Sequence, residues 1–114
     1  MKPLLIEYPP CGSCKKAKKY LNESNIDFET RHIVENTPTE DELLKWIELS
    51  GLEPKKFFNT SGKKYKELNL KDKVKNISNP DAAKLLSSDG MLIKRPIFLI
   101  DDKVYVGFKE YFNI

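Results

Sequence analysis

Apolar positions change period several times along this chain. Leu4-Leu5-Ile6 is a short apolar run closed by Tyr8-Pro9-Pro10. Two prolines in succession cannot continue a central ladder, so a buried strand leading into a loop is predicted. From Gly12 the spacing becomes helical. Cys14, Ala17, Tyr20 and Leu21 share one face, and Lys15, Lys16, Lys18 and Lys19 lie mostly opposite. Asp27 to Val34 predicts a second strand, with Phe28, Ile33 and Val34 among its apolar members. Thr39 and Glu42 then have the spacing of a capping box; Leu43, Leu44 and Ile47 supply an apolar helical face, and Gly51 is placed as a C-terminal cap.

Pro54 to Leu70 predicts short helical pieces broken at Thr60-Ser61-Gly62. Asn79-Pro80-Asp81 predicts a further helix, with Asn79 at the cap, Pro80 at the first helical position, Leu85 and Leu86 inward, and Gly90 at its end. Ile97-Phe98-Leu99-Ile100 is β-rich, Asp101-Asp102 supplies a turn, and Val104-Tyr105-Val106 forms a return strand ended by Gly107. The order is β-α-β, a helical middle, then a β-β hairpin and a final helical turn. It predicts an α/β sandwich with a mixed sheet.

Composition adds limits. A chain of 114 residues buries its own core as one domain. The net charge of +3 comes from lysines interleaved with Glu and Asp. That distribution describes a solvated surface rather than the one-sided basic face of a nucleic-acid binder, so no direct nucleic-acid partner is expected. The opening segment is too short in apolar residues for a signal peptide, and no run approaches the roughly 20 residues that span a bilayer. A cytoplasmic protein without a membrane partner is expected, acting as a monomer.

In that compartment two cysteines three positions apart are redox-active more readily than structural. At its ordinary pKa of about 8.5 a thiol is mostly protonated at neutral pH. Cys11 stands at the start of a helix, where free amides and the helix dipole favour a negative sulfur. Cys14, one turn on, can reach it. Cys11 is then the exposed nucleophile and Cys14 the resolving thiol, with Gly12 keeping the approach to the sulfur open. A zinc site needs two further ligands, and beyond this pair the chain offers only His32, so no metal is expected. Two buried cysteines acting as small hydrophobes are the bland alternative.

Arg95-Pro96 is the second feature. Arg95 is one of only two arginines, and it precedes a proline and a buried strand. The local sequence supports two readings equally. One is a surface arginine before a strand-start proline. The other is a cis-proline loop beside the thiols, with Arg95 holding an oxyanion or the thiolate. His32 reads as a partly buried strand residue rather than a base, and Trp46 as core or rim. Tyr8 and Tyr65 either line the site or simply pack.

Tyr8-Pro9-Pro10-Cys11-Gly12-Ser13-Cys14, Phe58-Asn59-Thr60-Ser61-Gly62-Lys63, Tyr65-Lys66-Glu67-Leu68 and Lys94-Arg95-Pro96-Ile97 together resemble the ArsC/Spx family. This family contains glutaredoxin-linked arsenate reductases and the Spx/MgsR regulators that bind RNA polymerase. The resemblance covers essentially the whole chain. It implies a thioredoxin-like, glutaredoxin-type core from about 1–36 and 91–114, with a helical insertion at about 37–90. It also implies Cys11 as nucleophile, Arg95 as its partner, and Gly12, Ser13, Asn59 and Pro96 as substrate-binding positions. No cofactor is implied beyond an external thiol donor such as thioredoxin, glutaredoxin or glutathione.

Departures from the family pattern shape the functional expectation. Arsenate reductases of this type handle the oxyanion with the cysteine loop and three arginines. Arg95 matches one; Asn59 stands where a second is expected, and Val104-Tyr105-Val106-Gly107-Phe108 lacks the third. Each charged contact is worth on the order of 1.5–3 kcal/mol, so arsenate is a poor substrate. Cys14 is absent from reductases that rely on external glutathione, whereas Spx-type regulators carry the CxxC switch. The preferred expectation is a thiol-dependent oxidoreductase working with a thiol reductant protein. The alternative is a redox-sensing regulator that binds the RNA polymerase α subunit, with Gly51 near the family's polymerase-contact glycine. The end at Ile114, short of a regulator's extended C-terminal helix, is expected to favour the oxidoreductase.

Overall fold

The computed structural model describes residues 2–108. Its elements run β1 (Leu4–Glu7), α1 (Gly12–Glu23), β2 (Glu29–His32), α2 (Glu40–Ser50), α3 (Lys63–Glu67), α4 (Leu70–Lys73), α5 (Asn79–Ser87), β3 (Ile97–Ile100) and β4 (Lys103–Val106), with 3₁₀ turns at Pro54–Phe57 and Gly90–Leu92. The expected final helical turn lies outside the described residues.

The sheet order is β2-β1-β3-β4. β1 runs parallel to β2, with α1 as the crossover, and antiparallel to β3; β3 pairs antiparallel with β4. The mixed sheet with helices is that of a thioredoxin-like α/β fold. Strand residues alternate between two faces. Leu5 and Phe98 pack with Ala17 and Leu21 beneath α1. Ile6 and Ile97 face the other way, into a larger cluster with Ile33, Leu43, Trp46, Ile47, Phe57, Phe58 and Leu86. Each such fully buried aliphatic or aromatic side chain contributes about 1.5–3 kcal/mol.

Local chemistry sets the ends of these elements. The Thr39 hydroxyl accepts from the Glu42 amide at 3.1 Å and the Glu42 carboxylate accepts from the Thr39 amide at 2.9 Å, completing the capping box. Glu42 also takes a bidentate pair from Arg31 at 2.7 and 2.9 Å, which ties β2 to the start of α2. Gly51 caps α2 with φ at 67°, the left-handed region where a side chain is strained.

Three sequence expectations are corrected. The second strand is shorter than 27–34, because Glu29–His32 alone pairs with β1. Ser78, not Asn79, caps α5: its hydroxyl accepts from the Asp81 amide at 3.3 Å, which moves Asn79 and Pro80 into the first turn. Gly90 does not end α5, which stops at Ser87. It is buried against the Ile33 carbonyl, where a Cβ would collide, so its role is close backbone approach.

Candidate active site

The turn Tyr8-Pro9-Pro10-Cys11 closes with the Cys11 amide donating to the Tyr8 carbonyl at 2.8 Å. It lifts the chain off β1 and starts α1, so that Cys11 occupies the N-cap with extended backbone. Both cysteines are free thiols; Cys11 is partly exposed and Cys14 buried. Cys14 sits one turn in, on the face that α1 turns to the sheet with Ala17 and Leu21. Its sulfur accepts the Tyr8 amide at 3.4 Å.

The two thiols have opposite electrostatics. Burial works against a Cys11 thiolate, but the Cys14 amide and thiol, Arg95 and the Ser13 amide favour it more strongly, and the Cys11 pKa falls below the ordinary value. Neither amide makes a formed cap hydrogen bond to the sulfur; they lie near enough to stabilise its charge. Burial pushes Cys14 up to about 12, with the Tyr8 amide opposing and the charges of Cys11 and Glu7 adding to the rise. At neutral pH Cys11 is the thiol disposed to attack, and Cys14 carries its proton.

Arg95 reaches this pair from the loop before β3, which opens beside the end of β1 because Ile97 pairs with Ile6. The Arg95-Pro96 peptide is cis, and the guanidinium stacks over the Tyr8 ring, 4.9 Å from its centroid. Its Nε and Nη1 are buried and have no hydrogen-bond partner among the described residues. Unpaired buried guanidinium donors beside a low-pKa sulfur suit an incoming anion or the thiolate itself. Pro96 is buried, and its carbonyl accepts the Gly107 amide at 2.8 Å.

The remaining predicted residues fall around this centre. Gly12 and Ser13 are exposed on the first turn of α1, and the space in front of Gly12 is open. Asn59 is carried to the flank of the arginine loop: its amide donates to the Leu92 carbonyl at 2.8 Å, and Lys94 donates to Phe57 at 2.7 Å. The Asn59 carboxamide oxygen accepts from Ser61 at 3.5 Å; among the described residues nothing ties it to the cysteines. Tyr65 is buried against Phe58, away from the thiols. His32 stands edge-on to Tyr8, and its Nδ1 accepts the Val34 and Glu35 amides, which leaves it poorly placed as a base. A cleft of about 780 Å³ lies beside the site rather than over it. Lys55, Lys56, Lys71, Lys75 and Lys94 rim it, above Phe58, Tyr65 and Val106.

Two residues that sequence reasoning passed over enter the site. Glu7 is only 5% exposed under α1, and Lys18 pairs with it at 2.7 Å. The available signal was a charge at a strand position where alternation from Leu5 calls for an apolar residue.

Residues 6–111 match a family model described as the ArsC family. The chain is 54% identical over 103 residues to the uncharacterized protein YusI of Bacillus subtilis, covering 90% of this chain and 87% of that one. It is 31% identical over 100 residues to the global transcriptional regulator Spx 2 of Bacillus anthracis, covering 88% and 75%. A solved structure from Streptococcus mutans UA159, described as a possible arsenate reductase, superposes with a TM-score of 0.89 at 43% identity, over 96% of this chain and 93% of that one. No helix among the described residues is long and apolar enough to cross a membrane.

Proposed function

This chain belongs to the ArsC family, and we propose that within it the chain acts as a thiol-dependent oxidoreductase in which Cys11 attacks and Cys14 resolves. The observation that carries this reading is the pairing of a partly exposed, thiolate-prone Cys11 with a buried, protonated Cys14 one helical turn away. Arg95, with two unpaired donors at the site, steadies the thiolate and the anionic leaving thiol. Cys11 attacks a substrate disulfide to give a mixed disulfide; Cys14 then displaces the substrate thiol and closes the internal disulfide. A thiol reductant protein such as thioredoxin or glutaredoxin reopens it.

Arsenate is not the favoured substrate. Arg95 is the one arginine at the site, the Asn59 carboxamide is engaged with Ser61, and β4 carries no arginine. A single guanidinium suits one thiolate charge better than a four-oxygen arsenate ion.

One observation favours a second reading. Gly51 ends α2 at an exposed corner with open space before it, a surface free for a partner, and Spx 2 is a transcriptional regulator. Under that reading the same disulfide switches binding to the RNA polymerase α subunit.

The discriminating test uses purified protein supplied with thioredoxin or glutaredoxin. Turnover of a small disulfide that vanishes in Cys11→Ser, with negligible arsenate reduction, is expected. Absence of all turnover, together with redox-dependent capture of the polymerase α subunit, overturns the oxidoreductase reading in favour of the regulator.

A further inference from the structure

The lysine-rimmed cleft beside the site has no part in the chemistry above. At about 780 Å³ it falls within the range of ligand sites. Three parts of the fold build it. Residues 55–60 and Lys94 are laced together by backbone: the Asn59 amide donates to the Leu92 carbonyl at 2.8 Å, and the Lys94 amide to the Phe57 carbonyl at 2.7 Å. Lys71 on α4, with Val74 and Lys75 just after it, forms a second part, and Val106 of β4 a third. The floor belongs to the core. Phe58 and Tyr65 are 2% and 7% exposed, with ring centroids 6.3 Å apart. Leu52, at 43% exposed, adds an uncovered apolar side chain to the lining. The cleft is therefore formed before anything binds.

Its rim is charged one way. Five exposed lysines line it, and Asp72 is the one carboxylate among the lining residues. Lys55 reaches Glu53 at 3.6 Å, but Lys56, Lys71, Lys75 and Lys94 have no ion-pair partner among the described residues. Like charges around one concavity repel, and low-dielectric walls focus their field inside it. An anionic occupant relieves that repulsion, and the apolar floor asks that it also carry an apolar group. Ammonium groups on flexible stems are point charges without a fixed fork. They suit several carboxylates at variable positions better than one rigid oxyanion. Phe58 and Tyr65 are too buried to offer ring faces for base stacking. No glycine lines the cleft to give a turn that cradles a polyphosphate. These features favour acidic polypeptide over nucleic acid or a nucleotide.

We propose that this cleft docks an acidic stretch of polypeptide, anchored by one apolar side chain, that flanks the disulfide Cys11 attacks. This rests on the thiol-exchange reading of the cysteine pair and gives it a substrate class: protein disulfides in acidic surroundings. Cleft and thiols are joined by a single peptide bond. Lys94 lines the cleft, its stem lying along Gly107, where a Cβ would stand 3.2 Å from Lys94 Cε. The next residue, Arg95, stacks on Tyr8 and favours the Cys11 thiolate. A peptide whose carboxylates engage Lys71, Lys75 and Lys94 thus runs up to the arginine loop, and its disulfide, a few residues on, is presented to Cys11. Its apolar anchor covers Phe58, Tyr65 and Val106. The rim charges speed encounter and hold the substrate, and the exchange itself stays with Cys11 and Cys14.

Two peptide disulfides test this, alike in carrying one Phe, one flanked by Glu and Asp and the other by Gln and Asn. At low salt the wild type is expected to prefer the acidic peptide by about tenfold or more in kcat/KM, mainly through KM. The preference is expected to vanish near about 1 M salt, where the screening length is roughly 3 Å. The double variant Lys71→Glu/Lys75→Glu should abolish it. Lys45→Glu/Lys84→Glu makes the same change in net charge at exposed positions of α2 and α5 outside the lining, and should keep it. A wild type without the preference, or its equal loss in both double variants, overturns the proposal. Fluorescence anisotropy of a labelled, thiol-free acidic peptide reads docking without exchange, and binding is expected to be lost in Lys71→Glu/Lys75→Glu. Displacement by ATP at an affinity about tenfold or more above that of the peptide would give the cleft to a nucleotide and overturn the occupant assigned. Failure of the underlying reading looks different: the wild type would bind the thiol-free peptide yet exchange with neither disulfide.

Discussion

The Arg95 guanidinium lies over the Tyr8 ring at 4.9 Å, while two of its buried donors, Nε and Nη1, have no partner among the described residues. The stacking fixes the plane of the fork at the cost of little hydration, because a guanidinium is weakly hydrated and tolerates an aromatic face. What it offers the site is a held cation that favours the Cys11 thiolate.

Arg95→Ala should therefore raise the Cys11 pKa and slow its reaction with alkylating reagents at neutral pH by roughly tenfold, the scale of one charge-assisted contact. Arg95→Lys should recover part of this, since it restores charge without the fork. The pH dependence of alkylation measures both. An unchanged profile in Arg95→Ala would remove Arg95 from the account.

The capping box and the Arg31 pair converge on one carboxylate, and they give acid stability a definite window. Glu42 is held at about 2, with the Arg31 hydrogen bonds as the main cause. An unfolded glutamate titrates at about 4.3. The folded value is depressed, so the contribution is complete above the unfolded value and is lost as pH falls through the folded one. Urea midpoints of the wild type should fall between about pH 4.3 and 2 relative to those of Glu42→Gln. The gap will be modest because the Glu42 side chain is 36% exposed and partly screened. At neutral pH, Thr39→Ala should cost about 1 kcal/mol. Parallel acid titrations of wild type and Glu42→Gln would rule out this source of acid stability.

Much of this architecture is legible in sequence wherever a short, fixed spacing encodes it. Thr39 and Glu42 announce a helix start because both halves of the box lie within one turn. Ile97 to Val106 announces a hairpin because Asp101 and Asp102 divide two β-rich runs. The cysteine pair and Arg95-Pro96 are visible for the same reason. What stays hidden depends on faces and distances that only the packed chain defines. Ser78 and Asn79 are both good caps, and only the Asp81 amide chooses between them. Arg31 finds Glu42 across 11 positions. Glu7 becomes meaningful only when α1 crosses β1 and sets Lys18 and Cys14 above it.

Gly90 belongs to that hidden class, and it yields a sharp stability prediction. A Cβ there would strike the Ile33 carbonyl oxygen and stand 2.9 Å from its carbon and 3.1 Å from Val34 Cα. These are backbone atoms of the segment leaving β2, with the Ile33 amide bonded to Glu7 at 2.8 Å, so neither side yields easily. Gly90→Ala should destabilise by about 3 kcal/mol or more. A urea unfolding curve within about 1 kcal/mol of wild type would show that this contact relaxes freely.

The central claim is that Cys11 attacks and Cys14 resolves. It is tested most directly by treating the reduced protein with one equivalent of a small disulfide and mapping the products by mass spectrometry. The wild type is expected to lose two hydrogens, forming the Cys11–Cys14 disulfide with both substrate halves released. Cys14→Ser should stop at a mixed disulfide on Cys11, and Cys11→Ser should react far more slowly than either. A wild-type protein that instead accumulates a stable adduct on Cys11 with Cys14 still free, or a Cys11→Ser protein that reacts at the wild-type rate, would contradict the account.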